Sequence, residues 1–129
     1  QGEIRDYQKV LDVLINGQQY HFRLCANPVY SIKQGDNKRG KVVPHVTISQ
    51  QEKWLNERSE ELGFTLIEFM IVQRNIKKFM RQHKYVTLNT ATYEGTLRIK
   101  DSDVFKETLI NGIGRAKSYG CGLLTLARL

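Results

Sequence analysis

From residue 9 the chain alternates in hydrophobicity. In KVLDVLI the apolar residues Leu11, Val13 and Ile15 share one face, and in QQYHFRL so do Tyr20, Phe22 and Leu24, with Asn16 and Gly17 between the runs. Period-two alternation on both sides of a turn dipeptide predicts strand, turn, strand. The rhythm then changes in SQQEKWLNERSEELG, where Trp54, Leu55, Arg58 and Leu62 recur near helical spacing. Ser49 is placed to cap the first turn and Glu52, three residues on, to reach back to its amide, which predicts a helix over 50–62 ended by Gly63. Trp54 reads as its anchor in the core.

FTLIEFMIV, residues 64–72, is apolar on nearly every position, the pattern of a central strand buried on both faces. YVTLNTATYEGTLRI, residues 85–99, alternates but slips phase between Leu88 and Tyr93, as at a bulge. These two strands are expected to pair as a long hairpin. DSDVFKETLI puts acids at a helix N-terminus, where the helix dipole favours them, and Gly112 supplies the stop, so a short helix is expected over 103–111. LLTLARL closes the chain as a last strand. After the opening hairpin the order is strand, helix, strand, strand, helix, strand. That is an α+β, ferredoxin-like (RRM-like) βαββαβ domain with an antiparallel sheet and a long hairpin. A length of 129 residues with 40% apolar content suits one such domain around one core, spanning 1–129.

Charge adds the first functional clue. Twenty Lys and Arg against 13 Asp and Glu give a net charge of +7 and a pI near 9.5, which favours an anionic partner such as nucleic acid. The cations are concentrated. Four lie in KQGDNKRGK at 33–41, a polar loop with nothing to pack. Five lie in QRNIKKFMRQHK, between the two long strands: Arg74, Lys77, Lys78, Arg81 and Lys84. Two more, Arg115 and Lys117, lie in the glycine segment NGIGRAKSYGCGLL, and Asp36 is the sole acid in the three basic stretches. A projecting hairpin with five cations could enter a groove of structured nucleic acid, with Phe79 or His83 available to stack. The alternative is a solvated tip whose charge serves solubility.

The glycine segment holds Gly112, Gly114, Gly120 and Gly122 around its two cations. Amides without neighbouring Cβ atoms can converge on an anion, and Arg115 and Lys117 would add charge-assisted hydrogen bonds to the same oxygens. The competing reading is a helix cap followed by a tight crossover. A dinucleotide or P-loop site is disfavoured because a helix precedes the glycines and a strand follows, the reverse of those motifs. Cys25 and Cys121 lack C-x-x-C spacing and read as free thiols. His21, His45 and His83 have no partner at metal-ligand spacing, so neither a metal nor another cofactor is expected. No nucleophile elbow or paired-carboxylate constellation is apparent. No apolar run approaches the ~20 residues of a membrane span, so no membrane partner is expected either. The first residue is Gln1 rather than Met, which suggests a processed chain or an excised domain.

FRLCANPV at 22–29, TYEGTLRI at 92–99 and the terminal GIGRAKSYGCGLLTLARL resemble the C-terminal half of the CasE family, the CRISPR RNA endoribonuclease of the type I-E Cascade complex. The glycines match the family's G-x-G-x(5)-G-x-G loop, and the resemblance runs from about residue 8 onward. It implies a C-terminal ferredoxin-like domain of a tandem pair. Such a protein binds the hairpin of a CRISPR repeat transcript and cuts once at the base of the stem, without metal, through attack by a 2′-hydroxyl. It further implies the other Cascade subunits, and the N-terminal domain of the same parent protein, as partners in a bacterial cytoplasm. The family's proton-transferring His and Tyr belong to that N-terminal domain and have no counterpart in this chain. The implied RNA contacts are Arg23, the hairpin cations at 74–84 and the loop at 112–122. A non-catalytic RNA-binding or ribonucleoprotein assembly module is the alternative reading.

Overall fold

The computed structural model describes residues 14–32, 41–113 and 121–129. Eight elements follow one another: β1 (Gln19–Ala26), β2 (Val29–Ile32), β3 (Lys41–Pro44), α1 (Ile48–Ser59), β4 (Phe64–Arg81), β5 (Lys84–Ile99), α2 (Ser102–Asn111) and β6 (Leu124–Arg128). Four strands form one antiparallel sheet in the order β4-β5-β1-β6. With the helices between β1 and β4 and between β5 and β6, this is the ferredoxin-like arrangement that the sequence predicts. The β2–β3 hairpin is a separate two-stranded ribbon inserted between β1 and α1. Its tip is the basic stretch from Lys33, of which residues 33–40 lie outside the described residues.

β1 shows why the sheet has one covered and one open face. Tyr20, Phe22, Leu24 and Ala26 point into the core while Gln19, His21 and Arg23 point outward, as the alternation requires. Against the inner face pack Trp54 and Leu55 of α1 and Phe105 and Leu109 of α2. Phe64 and Phe105 meet edge to face at 5.8 Å, and Trp54 stacks beside Tyr93 at 6.3 Å. Asp101 caps α2 by accepting from the amides of Asp103 and Val104, and Gly112 ends it at φ +78°.

The structure differs from the sequence reading in four places. The turn at Asn16–Gly17 is present, with Gly17 at φ +90°, but Leu14 and Ile15 are not in a strand, and residues 9–13 of the expected first strand lie outside the described residues. Helix α1 starts two residues earlier than expected and ends at Ser59. Its cap is Thr47, whose hydroxyl accepts from the Gln50 amide while the Gln50 side chain accepts from the Thr47 amide. Thr-x-x-Gln and Ser-x-x-Glu both fit the capping pattern, and the structure uses the earlier one.

β4 is an edge strand, not a central one: Ile67, Met70 and Val72 are exposed. The pairing slips between Leu66 and Glu68 and between Ile71 and Gln73, so Ile67 and Val72 are extra residues on β4. Two bulges account for the 18 residues of β4 opposite 16 of β5. The slip expected in β5 is absent: β5 pairs with β1 in unbroken register, Leu88 and Tyr93 lie on its opposite faces, and the bulges belong to β4.

Candidate nucleic-acid interface

The last pair between β1 and β5 is Ala26 with Ala91. Beyond it, Asn75–Arg81 and residues 84–90 pair only with each other, from Asn75↔Thr90 to Arg81↔Lys84. These seven pairs make a two-stranded arm of about 20 Å at ~3.3 Å per residue, with Leu88 and Thr90 near its base buried. Gln82 and His83, at φ +50° and +65°, form the two-residue turn at its tip. A ribbon of this kind has the width to enter a major groove.

Register divides the arm into two faces. Ile76, Lys78, Met80 and Tyr85 lie on the side of the helices, and the three apolar members are 68%, 62% and 76% exposed. Lys77, Arg81 and Lys84 lie on the opposite side, continuous with the open face of the sheet that carries His21 and Arg23. Five cations adjacent in sequence are thus presented in two directions.

Arg23 and Arg74, both predicted contact residues, have partners within the chain. Arg23 is ion-paired with Glu94 across β1 and β5. Arg74 donates from Nε to Gln51 Oε1 at 3.0 Å and from Nη2 to the Val46 carbonyl. Gln51 is the residue that sequence reasoning missed. It is 1% exposed, and its Nε2 donates to the His45 carbonyl at 2.9 Å, while the Tyr93 hydroxyl donates to its backbone carbonyl at 2.8 Å. His45 itself, ring to ring with Tyr30 at 4.6 Å, has its pKa held below the usual histidine value chiefly by burial.

The glycine segment is clipped at both ends. The Gly122 amide donates to the Cys25 carbonyl at 2.7 Å, and the Ile113 amide donates to the Gly122 carbonyl at 2.7 Å. Gly122 sits at φ +88°, and a Cβ there would overlap the Ile113 carbonyl oxygen. Gly112 and Gly122 therefore hold the crossover together; Gly114, Arg115, Lys117 and Gly120 lie outside the described residues. Cys25 and Cys121 are free thiols in contact; burial, then Cys25, pushes the Cys121 thiol up, while the charge of Lys77 pulls it the other way. By register Lys77 lies on the same open face as Cys25, whose carbonyl holds Gly122. The cationic side of the arm and the base of the glycine segment meet on the same open face.

That face also holds a hollow of about 590 Å³, lined among others by His21, Arg23, Glu68, Met70, Glu94 and Thr125. His21 Nδ1 lies 3.4 Å from the Thr96 hydroxyl on its floor. Among the described residues, no group of three or more His, Cys, Asp or Glu side chains is placed to hold a metal ion, and no helix is long and apolar enough to cross a membrane.

The profile of the CRISPR-associated protein family matches residues 1–128. The chain belongs to that family. Among its relatives, the CRISPR-associated endoribonuclease Cse3 of Thermus thermophilus is 32% identical over 123 residues, covering 86% of this chain and 56% of Cse3. The Cascade subunit CasE of Escherichia coli K12 is 33% identical over 121 residues, covering 88% and 60%. The resemblance noted on the glycine motif and FRLCANPV is thereby met by a protein of that name. Cse3 solved with a 19-nucleotide RNA superposes with a TM-score of 0.78 at 32% identity, covering 89% of this chain and 57% of that one. Cas6e of E. coli K-12 superposes with a TM-score of 0.73, also at 32% identity, covering 90% and 63%. The chain spans little more than half the length of the curated relatives it matches.

Proposed function

We propose that this CRISPR-associated chain is the C-terminal, RNA-binding domain of a CRISPR RNA endoribonuclease, which grips the hairpin of a repeat transcript for a single cut at the base of the stem. The observation that carries the reading is a cationic two-stranded arm whose Lys77, Arg81 and Lys84 share one open face with Cys25, the residue that holds the end of the glycine segment. It occurs in a fold that superposes on a relative solved with RNA bound. Lys77, Arg81 and Lys84 face the phosphates from the arm, with Lys78 reaching from its other side. Arg23 and Glu94 lie where the arm joins the sheet. Gly112 and Gly122 hold the crossover so that Gly114, Arg115, Lys117 and Gly120 can approach the RNA backbone.

The chemistry requires a base beside the 2′-hydroxyl, an acid for the leaving 5′-oxygen and fixed cations on the pentacovalent phosphorane. This domain supplies binding and fixed charge; the proton-transferring groups come from the N-terminal domain of the parent, which docks beside it. The other Cascade subunits are the remaining partners, in the cytoplasm of a bacterium.

Replacing Lys77, Lys78 and Arg81 together with Ala tests the reading by titration with a repeat stem-loop over a series of salt concentrations. Affinity is expected to fall, and the log–log salt slope to flatten by about 0.9 for each phosphate that is no longer neutralised. A variant that keeps both affinity and slope refutes a role for the arm. Cleavage of the same RNA by the full-length parent in EDTA separates the endoribonuclease from a purely assembly-related module.

A further inference from the structure

Among the described residues no third strand accompanies the arm past Ala91, although Leu88 and Thr90 near its base are buried. A two-stranded ribbon alone is marginally stable and can bend at its root, so what fixes the root fixes the direction of the tip. Arg74 occupies that root: its partner on β5 is Ala91, the last β5 residue that also pairs with β1. Its guanidinium bridges two acceptors on another part of the fold, Gln51 Oε1 in the first turns of α1 and the carbonyl of Val46 just before the helix. Gln51 is in turn held from two sides, by the His45 carbonyl and by the hydroxyl of Tyr93, which stands two residues from Ala91 on β5. A planar fork that engages two fixed acceptors at once defines an angle, which a single point of attachment does not.

We propose that Arg74 is a positioning residue. Through Gln51 and the Val46 carbonyl it sets the angle at which the arm leaves the sheet, and so aims Lys77, Arg81 and Lys84 at the RNA, without itself contacting a phosphate. This rests on the RNA-binding reading above. It also reassigns one of the five hairpin cations: its guanidinium, on an exposed side chain, is engaged by Gln51 and the Val46 carbonyl, and its position at the root, not the tip, is what the binding site uses.

The test uses the 129-residue chain with Arg74→Lys, Arg74→Met, Gln51→Leu and the double variant Arg74→Met/Gln51→Leu. A repeat stem-loop RNA is titrated at several salt concentrations, and backbone amide residual dipolar couplings are measured on each free protein. A lysine keeps the charge but cannot bridge both acceptors, so Arg74→Lys and Arg74→Met are expected to weaken binding alike, on the order of tenfold, with the wild-type salt slope. Gln51→Leu, at a buried site that cannot touch RNA, should weaken binding similarly, and the double variant no further. In the wild type one alignment frame should fit both the arm and the rest of the sheet; in the variants the arm should need its own.

Partial unfolding would lower the titration end point and leave Kd and the shared frame unchanged, which would overturn the proposal. Full affinity in Arg74→Lys, or a salt slope reduced by about 0.9 in Arg74→Met, would show a direct bond to phosphate instead. If Gln51→Leu does not fold, Arg74→Lys and the couplings still decide. If the wild-type chain does not bind the stem-loop at all, the functional reading falls, and the couplings alone report whether Arg74 fixes the arm.

Discussion

Replacing Gly122 with Ala combines two penalties that this protein allows to be measured apart. At Gly17 the backbone is at φ +90° with nothing within 4 Å of an added Cβ, so Gly17→Ala reports conformational strain alone, about 1–2 kcal/mol. At Gly95 the backbone is ordinary, but the Cβ would overlap the Glu68 carbonyl oxygen and stand 2.6 Å from the Cα of Phe69 on the neighbouring strand. Gly95→Ala therefore reports overpacking alone, about 1–3 kcal/mol. Gly122 has both, φ +88° and a Cβ overlapping the Ile113 carbonyl, whose own amide donates to Gly122. The two contributions are distinct in origin, so Gly122→Ala is expected to cost about 2–5 kcal/mol. For a chain of this length about 4 °C per kcal/mol is expected, so Tm should fall by roughly 8–20 °C, against about 4–8 °C for Gly17→Ala. Thermal melts followed by circular dichroism, two-state in each variant, measure all three. If Gly122→Ala melts with Gly17→Ala, the tight clip between Ile113 and Gly122 does not hold the crossover closed, and the reasoning fails.

Two further outcomes follow from the helix cap and from His45. Thr47→Ala removes the hydroxyl half of the capping box and should cost about 1 kcal/mol, whereas Ser49→Ala, inside the helix and exposed, should leave Tm within about 1 °C; the reverse order would place the cap at Ser49 after all. Because burial lowers the His45 pKa, the folded state binds fewer protons than the unfolded one just below the ordinary value of 6.5. Its contribution is complete above that value and is lost as pH falls through it, so Tm should decline between about pH 7.5 and 5.5, and less steeply in His45→Phe; parallel profiles would refute the assignment.

Much of this fold is written in local periodicity. The alternation of β1, the acids and glycine that bracket α2, and the long hairpin each depend on residues close in sequence, and each is legible there. FTLIEFMIV misleads for a specific reason. Ile67 and Val72 are bulge residues, and inserting two apolar side chains out of phase turns an alternating edge strand into what looks like a doubly buried run. The apparent slip in β5 has a different origin. Leu88, Thr90 and Thr92 lie on the open face and yet are buried, so both faces of β5 look internal there. The Arg74–Gln51 bond spans 23 residues and joins a helix to the root of an arm. A glutamine within a polar helical stretch carries no sign of that partner, and a run of five cations gives no hint that one of them bonds back to the helix. The glycine motif is legible as a motif, but the bonds of Gly122 to Ile113 and Cys25 join residues that periodicity does not bring together.

The bulges of β4 also bear on how this protein behaves in a crowded solution. An outer strand of 18 residues leaves a row of unpaired amides and carbonyls along the sheet margin, which would invite a second molecule to add its own strand. Ile67 and Val72 break that row twice and twist the backbone away from any straight partner. Further along, Lys77, Lys78 and Arg81 would set like charges against each other in two arms brought side by side. The same strand that reaches out for a ligand is thereby kept from templating fibrils with copies of itself.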